Sequence, residues 1–165
     1  MSSSTVTVYL GLGSNVGTRQ DNLKKAMELI SQRLRVGRVS SIYDTEPVGN
    51  VNQSRFLNQV CQVYTTLPPM ALLTLVKGIE LKLGRVPMAP NSPRIMDIDI
   101  LFYGDQVVDD PKLVIPHPRL AERAFVLIPM AEIAPDLVHP VKHQTVAELV
   151  KGATGTQGVV KWKDS

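Results

Sequence analysis

The stretch from Thr5 to Gly13 alternates between large apolar residues and polar or small ones, and this period of two most limits the folds open to the chain. Its large apolar residues are Val6, Val8, Leu10 and Leu12, and the residues between them are Thr7, Tyr9, Gly11 and Gly13. Alternation of this kind predicts a β-strand that is buried on one face. Because strands of parallel sheets are apolar on both faces, the pattern favours an antiparallel sheet with one exposed face.

The elements that follow predict the order β-α-β-β-α-β. Two apolar stripes at helical spacing indicate helices, and Pro68-Pro69 and Gly84 mark the start and the end of the second one. Runs rich in Val, Ile, Tyr and Thr indicate three more strands, over residues 36–44, 56–66 and 95–103. We therefore predict an α+β, ferredoxin-like sandwich with a βαββαβ core, an antiparallel sheet and one sheet face free for ligands.

A C-terminal extension follows this core. Short strands are predicted at residues 106–108 and Leu113–Ile115, and a helix at residues 146–151. Val159, Val160 and Trp162 either pack as a last strand or remain loose. A chain of 165 residues has room for one domain, because domains have roughly 100–200 residues. We expect a single domain over residues 1–165, with residues 1–4 and 153–165 flexible.

Composition argues against several classes of protein. Hydrophobic residues make up 44% of the chain, enough to bury a core and to argue against long disorder. No apolar run approaches the ~18 residues of a membrane span, and the N-terminus lacks the features of a secretory signal. Cys61 is the single cysteine, so a disulfide framework is excluded. These observations predict a cytoplasmic protein with no membrane partner.

The net charge of +3 does not indicate a nucleic-acid partner, because the basic residues are scattered and aromatic residues make up only 5% of the chain. The single cysteine lies far from the three histidines in the sequence, which argues against a zinc site.

The most specific chemical signal is the segment from Arg94 to Leu101. Asp97 and Asp99 are two residues apart on a predicted strand and therefore point to the same face, with Cα atoms ~7 Å apart. Two adjacent carboxylates repel each other, and a divalent cation relieves that repulsion. Carboxylates together with substrate phosphates are the usual Mg²⁺ ligands. The alternative interpretation is a solvated strand face that happens to carry two acids.

Two further patterns are consistent with a phosphorylated ligand and a flat ring. Several cations that suit phosphate binding surround the acid pair in the sequence: Arg85, Arg94, Lys112, His117, Arg119 and Arg123. Phe56 and Asn58 share a strand face and offer an aromatic plane beside an amide. Gly11 and Gly13 lie on the strand side away from the core, where they leave a bare floor. A dinucleotide-binding loop fits poorly, because the third glycine is misplaced.

Taken together, these residues resemble the 6-hydroxymethyl-7,8-dihydropterin pyrophosphokinases of folate biosynthesis, from Val6 to about Pro140. The matching segments are Gly11-Leu12-Gly13-Ser14-Asn15, Thr45-Glu46-Pro47-Val48-Gly49, Phe56-Leu57-Asn58, Ile79-Glu80-Leu81-Lys82-Leu83-Gly84-Arg85, Pro93-Arg94-Ile95-Met96-Asp97-Ile98-Asp99-Ile100-Leu101 and Ile115-Pro116-His117-Pro118-Arg119-Leu120-Ala121-Glu122-Arg123-Ala124-Phe125. Their order and spacing make the resemblance specific.

The resemblance implies a ferredoxin-like enzyme that transfers the pyrophosphoryl group of ATP to the pterin hydroxymethyl oxygen and releases AMP. By position, Asp97 and Asp99 would bind two Mg²⁺ ions, and Arg85 and Arg94 would act on the transferring phosphates. The implied ATP contacts are Glu80, the Ile100 backbone, Lys112, His117, Arg119 and Arg123. The implied pterin pocket consists of Phe56, Asn58, Phe125 and the backbone at Thr45 and Val48. The expected partners are these small molecules, with the enzyme a monomer.

One stretch departs from the family pattern. Pro87 and Pro90-Asn91-Ser92 stand where many members have a second arginine and an Arg-Trp-Gly run. We expect weaker loop closure on ATP without loss of activity. Two other functions stay open at this stage: an RNA-binding module of the same fold, and a kinase that transfers only the γ-phosphate.

Overall fold

The computed structural model describes residues 5–15, 17–45, 55–84 and 96–162 of the chain, apart from the side chain of Gln157. Its strands are β1 (Val6–Ser14), β2 (Arg35–Val39), β3 (Tyr43–Thr45), β4 (Phe56–Thr65), β5 (Asp97–Tyr103), β6 (Val108–Asp110), β7 (Leu113–Ile115) and β8 (Val159–Lys161). Its helices are α1 (Arg19–Arg33), α2 (Pro69–Lys82), α3 (Ala124–Ile133) and α4 (Val146–Gly152). Short 3-10 turns cover Leu120–Glu122 and Thr156–Gly158.

The main sheet has the strand order β5-β1-β4-β3-β8, and β2 pairs with β4 beside β3. All of its pairings are antiparallel, as the alternation in β1 predicted. Helices α1 and α2 pack on one face through a core that includes Leu10, Leu23 and Val76, all fully buried. The predicted α+β, ferredoxin-like arrangement is therefore confirmed. The antiparallel pairing of β1 also argues against the dinucleotide-binding alternative.

The prediction that the opposite sheet face is free is wrong over part of that face. Helices α3 and α4 cover it through a second apolar cluster that includes Tyr9, Val60 and Phe102 from the sheet and Leu127 and Met130 from α3. Helix α3 was not predicted, because it contains Pro129 and is apolar on most sides, so it shows no amphipathic stripe. The uncovered part of this face carries the candidate site described below.

The predicted strand over residues 36–44 is two strands, β2 and β3. Ser40 interrupts it, because its hydroxyl accepts a hydrogen bond from Val60 N at 2.9 Å while its own N–H donates to Val60 O at 2.8 Å. The ladder between β2 and β4 also shifts register between Val36 and Val39. A side-chain oxygen therefore takes the place of a backbone carbonyl at this point of the ladder.

Smaller corrections concern the C-terminal extension. The strand predicted at residues 106–108 lies at Val108–Asp110 and forms a hairpin with Leu113–Ile115. The helix predicted at residues 146–151 is α4, which begins with a capping box between Thr145 and Glu148. Of the two alternatives for Val159, Val160 and Trp162, the structure shows the packed strand, β8. None of the helices in the described ranges is long and apolar enough to cross a membrane.

Candidate active site

The candidate site lies where β5, β1 and β4 run side by side at one end of the sheet. In the register of these strands, Gly13 of β1 is opposite Asp97 on one side and Asn58 on the other. Gly11 is likewise opposite Asp99. Since neighbouring strands are ~4.8 Å apart, the backbones at Asp97 and Asn58 are roughly 10 Å apart. A ligand of small-molecule size can therefore span from the acid pair to the amide.

Asp97 and Asp99 share a sheet face, as their spacing predicted, while Ile98 and Ile100 point into the core on the other face. Burial, and then the adjacent charge of Asp97, raise the pKa of Asp99 to about 7, against the opposing fields of Lys77 and Arg123. A charged pair at this position therefore costs folding free energy, and a bound cation would offset that cost. Among the described residues, no group of three or more His, Cys, Asp or Glu side chains is placed to hold a metal.

Glu80 supports the strand that carries the acids. Its side chain is 2% exposed, and its Oε2 accepts a hydrogen bond of 2.6 Å from the N–H of Ile98, which lies between the two aspartates. Lys77 lies one helical turn before it, with Nζ 3.3 Å from Glu80 Oε1. Lys77 was not selected from the sequence, and its spacing of three residues from Glu80 is the signal that would have indicated it. The predicted contact between Glu80 and ATP stays a prediction.

His117 and Arg123 face the acid pair from the segment that follows β7. Burial, followed by the field of Arg123, lowers the pKa of His117 to about 4, so its imidazole is neutral near pH 7. Its Nδ1 accepts a hydrogen bond of 3.3 Å from Arg119 N, which leaves the proton on Nε2. The buried Nε of Arg123 has no hydrogen-bond partner within the described part of the chain. Both side chains therefore have donors available to a ligand.

The other predicted ATP residues have different surroundings. Arg119 forms an exposed ion pair with Glu122, at 3.7 Å between Nε and Oε2. Lys112 lies in the turn between β6 and β7 and is exposed. The side chain of Ile100 is buried in the core, which leaves its backbone as the only predicted contact. The described residues do not include Arg85, Arg94 and Val48, nor Pro87 and Pro90-Asn91-Ser92. The roles expected of them therefore remain predictions.

On the pterin side of the predicted site, Thr45, Phe56 and Asn58 come together. Thr45 is opposite Phe56 in the ladder between β3 and β4, and Asn58 Nδ2 donates a hydrogen bond to Thr45 Oγ1. Thr45 and Asn58 are both buried, while Phe56 is half-buried. Phe125 lies in the first turn of α3, with the Arg123 guanidinium 5.5 Å from its ring. A buried amide beside exposed ring surface suits a flat heterocycle.

The surroundings of Gly11 and Gly13 in β1 differ from the predicted open sheet surface. A Cβ on Gly13 would lie 2.9 Å from Asn58 Oδ1 and 3.5 Å from Phe56, so this glycine makes room for the Asn58 side chain. A Cβ on Gly11 would lie 3.3 Å from Leu101, so an apolar side chain and not a ligand covers that position. The prediction of a bare floor is therefore wrong at Gly11.

The fold and this site define a class: a ferredoxin-like α+β domain that carries an acid pair and a buried, hydrogen-bonded polar pair, Asn58 and Thr45, on its sheet. Comparison with known proteins identifies the family within that class. The sequence model of 7,8-dihydro-6-hydroxymethylpterin-pyrophosphokinase (HPPK) matches residues 9–135. The chain belongs to this family.

Relatives with the corresponding name occur in Bacillus subtilis and Aquifex aeolicus. The chain is 40% identical over 157 residues to the 2-amino-4-hydroxy-6-hydroxymethyldihydropteridine pyrophosphokinase of Bacillus subtilis, covering 94% of this chain and 89% of the relative. It is 41% identical over 142 residues to the protein of that name from Aquifex aeolicus, covering 86% and 89%.

Longer proteins contain a similar region. The chain is 43% identical over 141 residues to the folic acid synthesis protein fol1 of Pneumocystis carinii, covering 85% of this chain but only 19% of that protein. A crystal structure of Plasmodium falciparum HPPK-DHPS A437G with SDX-DHP has a TM-score of 0.76 and 19% identity, covering 92% of this chain and 46% of that one. At this identity the structural likeness shows the fold alone.

Proposed function

We propose that this chain transfers the pyrophosphoryl group of ATP to the hydroxymethyl oxygen of 6-hydroxymethyl-7,8-dihydropterin, with release of AMP, in folate biosynthesis. The observation that carries this conclusion is the family match over residues 9–135, together with relatives at about 40% identity that bear the corresponding name. The chain covers most of the length of the bacterial relatives.

The acid pair suits Mg²⁺ by its donor chemistry, because carboxylate oxygens and substrate phosphates are the ligands that this ion takes in nucleotide sites. Burial and the adjacent charge of Asp97 raise the pKa of Asp99, and a cation bound beside the two carboxylates would counter their repulsion. We infer that Asp97 and Asp99 hold two Mg²⁺ ions when ATP is bound. Ions held there would supply charge neutralisation on the phosphates and would lower the pKa of the attacking hydroxyl.

The remaining groups of the site bind and orient the substrates. Arg123 and the Nε2–H of His117 would donate to the ATP phosphates, since neither donor is used elsewhere in the described site. Asn58 and Thr45 would hold the pterin ring by hydrogen bonds, and Phe56 and Phe125 would stack on it. Arg85 and Arg94 would act on the transferring phosphates, as the family resemblance implies.

This arrangement fits a direct in-line attack by the alcohol on the β-phosphorus of ATP. The oxygen–phosphorus bond of the product forms as the bond between the β-phosphorus and the α,β-bridging oxygen breaks, so AMP leaves with that oxygen. Positioning and charge stabilisation account for rate enhancement in such reactions, without a covalent enzyme intermediate. The span of roughly 10 Å between the Asp97 and Asn58 backbones leaves room for the pterin substituent to reach the phosphates.

The direct test is to incubate the protein with Mg²⁺, ATP and 6-hydroxymethyl-7,8-dihydropterin and to separate the nucleotides by chromatography. We expect AMP in proportion to pterin diphosphate. ADP would show a γ-phosphate kinase instead, and no turnover would favour a binding module. EDTA should stop AMP formation and excess Mg²⁺ restore it. Isothermal titration of Mg²⁺ with a non-hydrolysable ATP analogue should give two sites in the wild type and weakened binding in Asp97→Ala.

A further inference from the structure

The last strand of the chain lies outside the segment matched by the family model and lengthens the sheet next to the candidate pterin pocket. β8 pairs antiparallel with β3, with Val159 opposite Thr45 and Lys161 opposite Tyr43. Trp162 continues the ladder, because its N–H donates to Ile42 O at 2.8 Å. β3 therefore has a partner on both edges, β4 on one side and β8 on the other.

One guanidinium joins the three strands at this place. Arg55 Nε donates to Asp44 Oδ1 at 2.9 Å, and its Nη2 donates to Asp44 O at 3.3 Å and to Gly158 O at 3.0 Å. Arg55 directly precedes β4, Asp44 belongs to β3, and Gly158 directly precedes β8. The planar, multidentate geometry of arginine makes such a three-way junction possible.

The start of α1 completes the junction. The Arg19 guanidinium lies 5.4 Å from the centre of the Trp162 ring, and Arg19 Nη1 donates to Arg55 O. Trp162 Nε1 also donates to Gln20 Oε1 at 3.4 Å. We call the set of Arg19, Asp44, Arg55, Trp162 and β8 the C-terminal clamp. Its most distant members, Arg19 and Trp162, are 143 positions apart in the chain.

The C-terminal clamp contacts β3 and β4 next to Thr45 and Phe56, two residues of the candidate pterin pocket. Asp44 and Arg55 directly adjoin Thr45 and Phe56, which are opposite each other in the ladder. β3 has only three residues, so pairing with β4 alone would hold it by few hydrogen bonds. We propose that the C-terminal clamp is a positioning device for the pterin pocket and that Arg55 is its central positioning residue. This inference rests on the proposed function.

The test is steady-state kinetics of AMP formation with Arg55→Gln in the full-length protein. Loss of the junction should raise KM for the pterin about fivefold, the change that ~1 kcal/mol gives, and leave KM for ATP within twofold. We expect kcat at saturating pterin to change little, since the clamp contacts described above join α1, β3, β4 and β8, whereas the acid pair lies on β5. Arg55→Lys keeps the charge beside Asp44 but cannot make all three hydrogen bonds, so its increase in KM should be smaller.

Arg35→Gln is the matched control, because Arg35 also contacts β4 from the surface, over the ring of Tyr64 at 4.4 Å, but at the far end of the strand. It should leave both KM values unchanged. Asp44→Asn should reproduce the effect of Arg55→Gln, as should a chain that ends at Gly155. If that shortened chain does not fold, the point variants still decide the question.

The clamp proposal fails if Arg55→Gln leaves KM for the pterin unchanged, or if it raises KM for ATP by the same factor. The emission of Trp162, the only tryptophan of the chain, provides a separate readout. It should shift to longer wavelength in Arg55→Gln and not in Arg35→Gln. A wild-type protein that forms no AMP would instead contradict the proposed function, so the two failures are distinguishable.

Discussion

At the scale of single residues, the candidate site contains a carboxylate whose burial lowers the stability of the folded protein. Asp99 is half-buried beside Asp97, and its raised pKa means that the folded protein prefers it protonated. For an acid with a raised pKa, the folded state loses stability as pH rises through the unfolded and then the folded pKa. The carboxylate is therefore retained at the expense of stability, which is typical of functional positions.

Replacement of this carboxylate separates function from folding. Asp99→Asn keeps the shape and removes the charge, so we expect turnover to fall by about three orders of magnitude. The Tm should rise by about 2–4 °C at neutral pH, the shift given by ~1 kcal/mol in a domain of this size. Thermal unfolding and AMP formation measure the two effects. A lower Tm with activity intact would indicate that Asp99 is a structural residue.

Gly13 is a second residue whose substitution has a defined effect. In Gly13→Ala the new Cβ would lie 2.9 Å from Asn58 Oδ1 and would displace that side chain from Thr45. We expect a loss of about 1–2 kcal/mol in the free energy of unfolding from overpacking, together with a higher KM for the pterin. Denaturant unfolding and kinetics measure the two changes.

Gly78→Ala is the control for this substitution. Gly78 lies inside α2, and a Cβ there meets no atom within 4 Å. Because glycine is a poor helix former, this variant should be stabilised by about 0.5–1 kcal/mol and keep its KM values. If Gly13→Ala behaved in the same way as Gly78→Ala, the close approach of Asn58 to β1 would be incorrect.

At the scale of elements, Glu132 connects α3 to the sheet. Its Oε1 accepts hydrogen bonds from Ser41 N at 2.9 Å and from Tyr43 O–H at 2.8 Å, and its Oε2 accepts one from Ser41 Oγ at 2.7 Å. Desolvation alone would raise the pKa of Glu132, but the hydrogen bonds from Ser41 and Tyr43 outweigh it, and the pKa is lowered. Burial, together with Glu132, raises the pKa of Tyr43 to about 12.

Glu132→Gln should therefore weaken the attachment of α3. We expect a loss of about 1 kcal/mol, because an amide accepts with one oxygen only and the hydrogen bonds lose their ionic character. The loss should be seen near neutral pH and should shrink as pH falls from the ordinary glutamate value of 4.5 toward the lowered folded pKa, below which the folded wild type is also uncharged. Glu28→Gln, on the exposed face of α1, is the control and should be neutral in the same unfolding measurement.

At the scale of the whole molecule, the protonation of His139 links the stability of the protein at low pH to packing in the C-terminal half of the chain. It is 5% exposed, its Nδ1 accepts from Val141 N at 3.2 Å and from Lys142 N at 3.1 Å, and its ring packs edge-on against Phe102 of β5. Burial, followed by the charges of Lys142 and His143, lowers its pKa from 6.5. Protonation would turn Nδ1 from an acceptor into a donor and break both hydrogen bonds.

The sign of the resulting pH dependence follows from proton binding. Below 6.5 the unfolded chain binds a proton at His139 that the folded protein does not, so stability falls as pH falls from that value toward the lowered folded pKa. His139→Asn keeps an acceptor near the position of Nδ1 and does not titrate. We expect the Tm of the variant to fall less between about pH 7 and pH 5. Parallel curves for the two proteins would show that His139 makes no contribution.

Much of the fold and part of the site were predicted from local patterns. The period of two placed Asp97 with Asp99 and Phe56 with Asn58 on common faces, and the structure agrees. Helix α3 was not predicted, because its apolar residues lie on most sides of the helix and form no amphipathic stripe. The break between β2 and β3 at Ser40 was not predicted either, because it depends on a hydrogen bond with Val60. Lys77 and the supporting role of Glu80 likewise depend on how α2 packs against β5.

The spacing of apolar residues, the turn residues and the order of motifs can all be seen in stretches of neighbouring positions. The amino-acid sequence by itself therefore determined the antiparallel α+β core, the common sheet face of Asp97 and Asp99, and the resemblance to a family. Only the tertiary structure decided which distant groups meet. Glu132 and Ser41 are 91 positions apart, and Arg55 and Gly158 are 103 positions apart. Such contacts form because the layers must bury their apolar faces together, and no local pattern encodes which polar side chains that packing brings within hydrogen-bond distance.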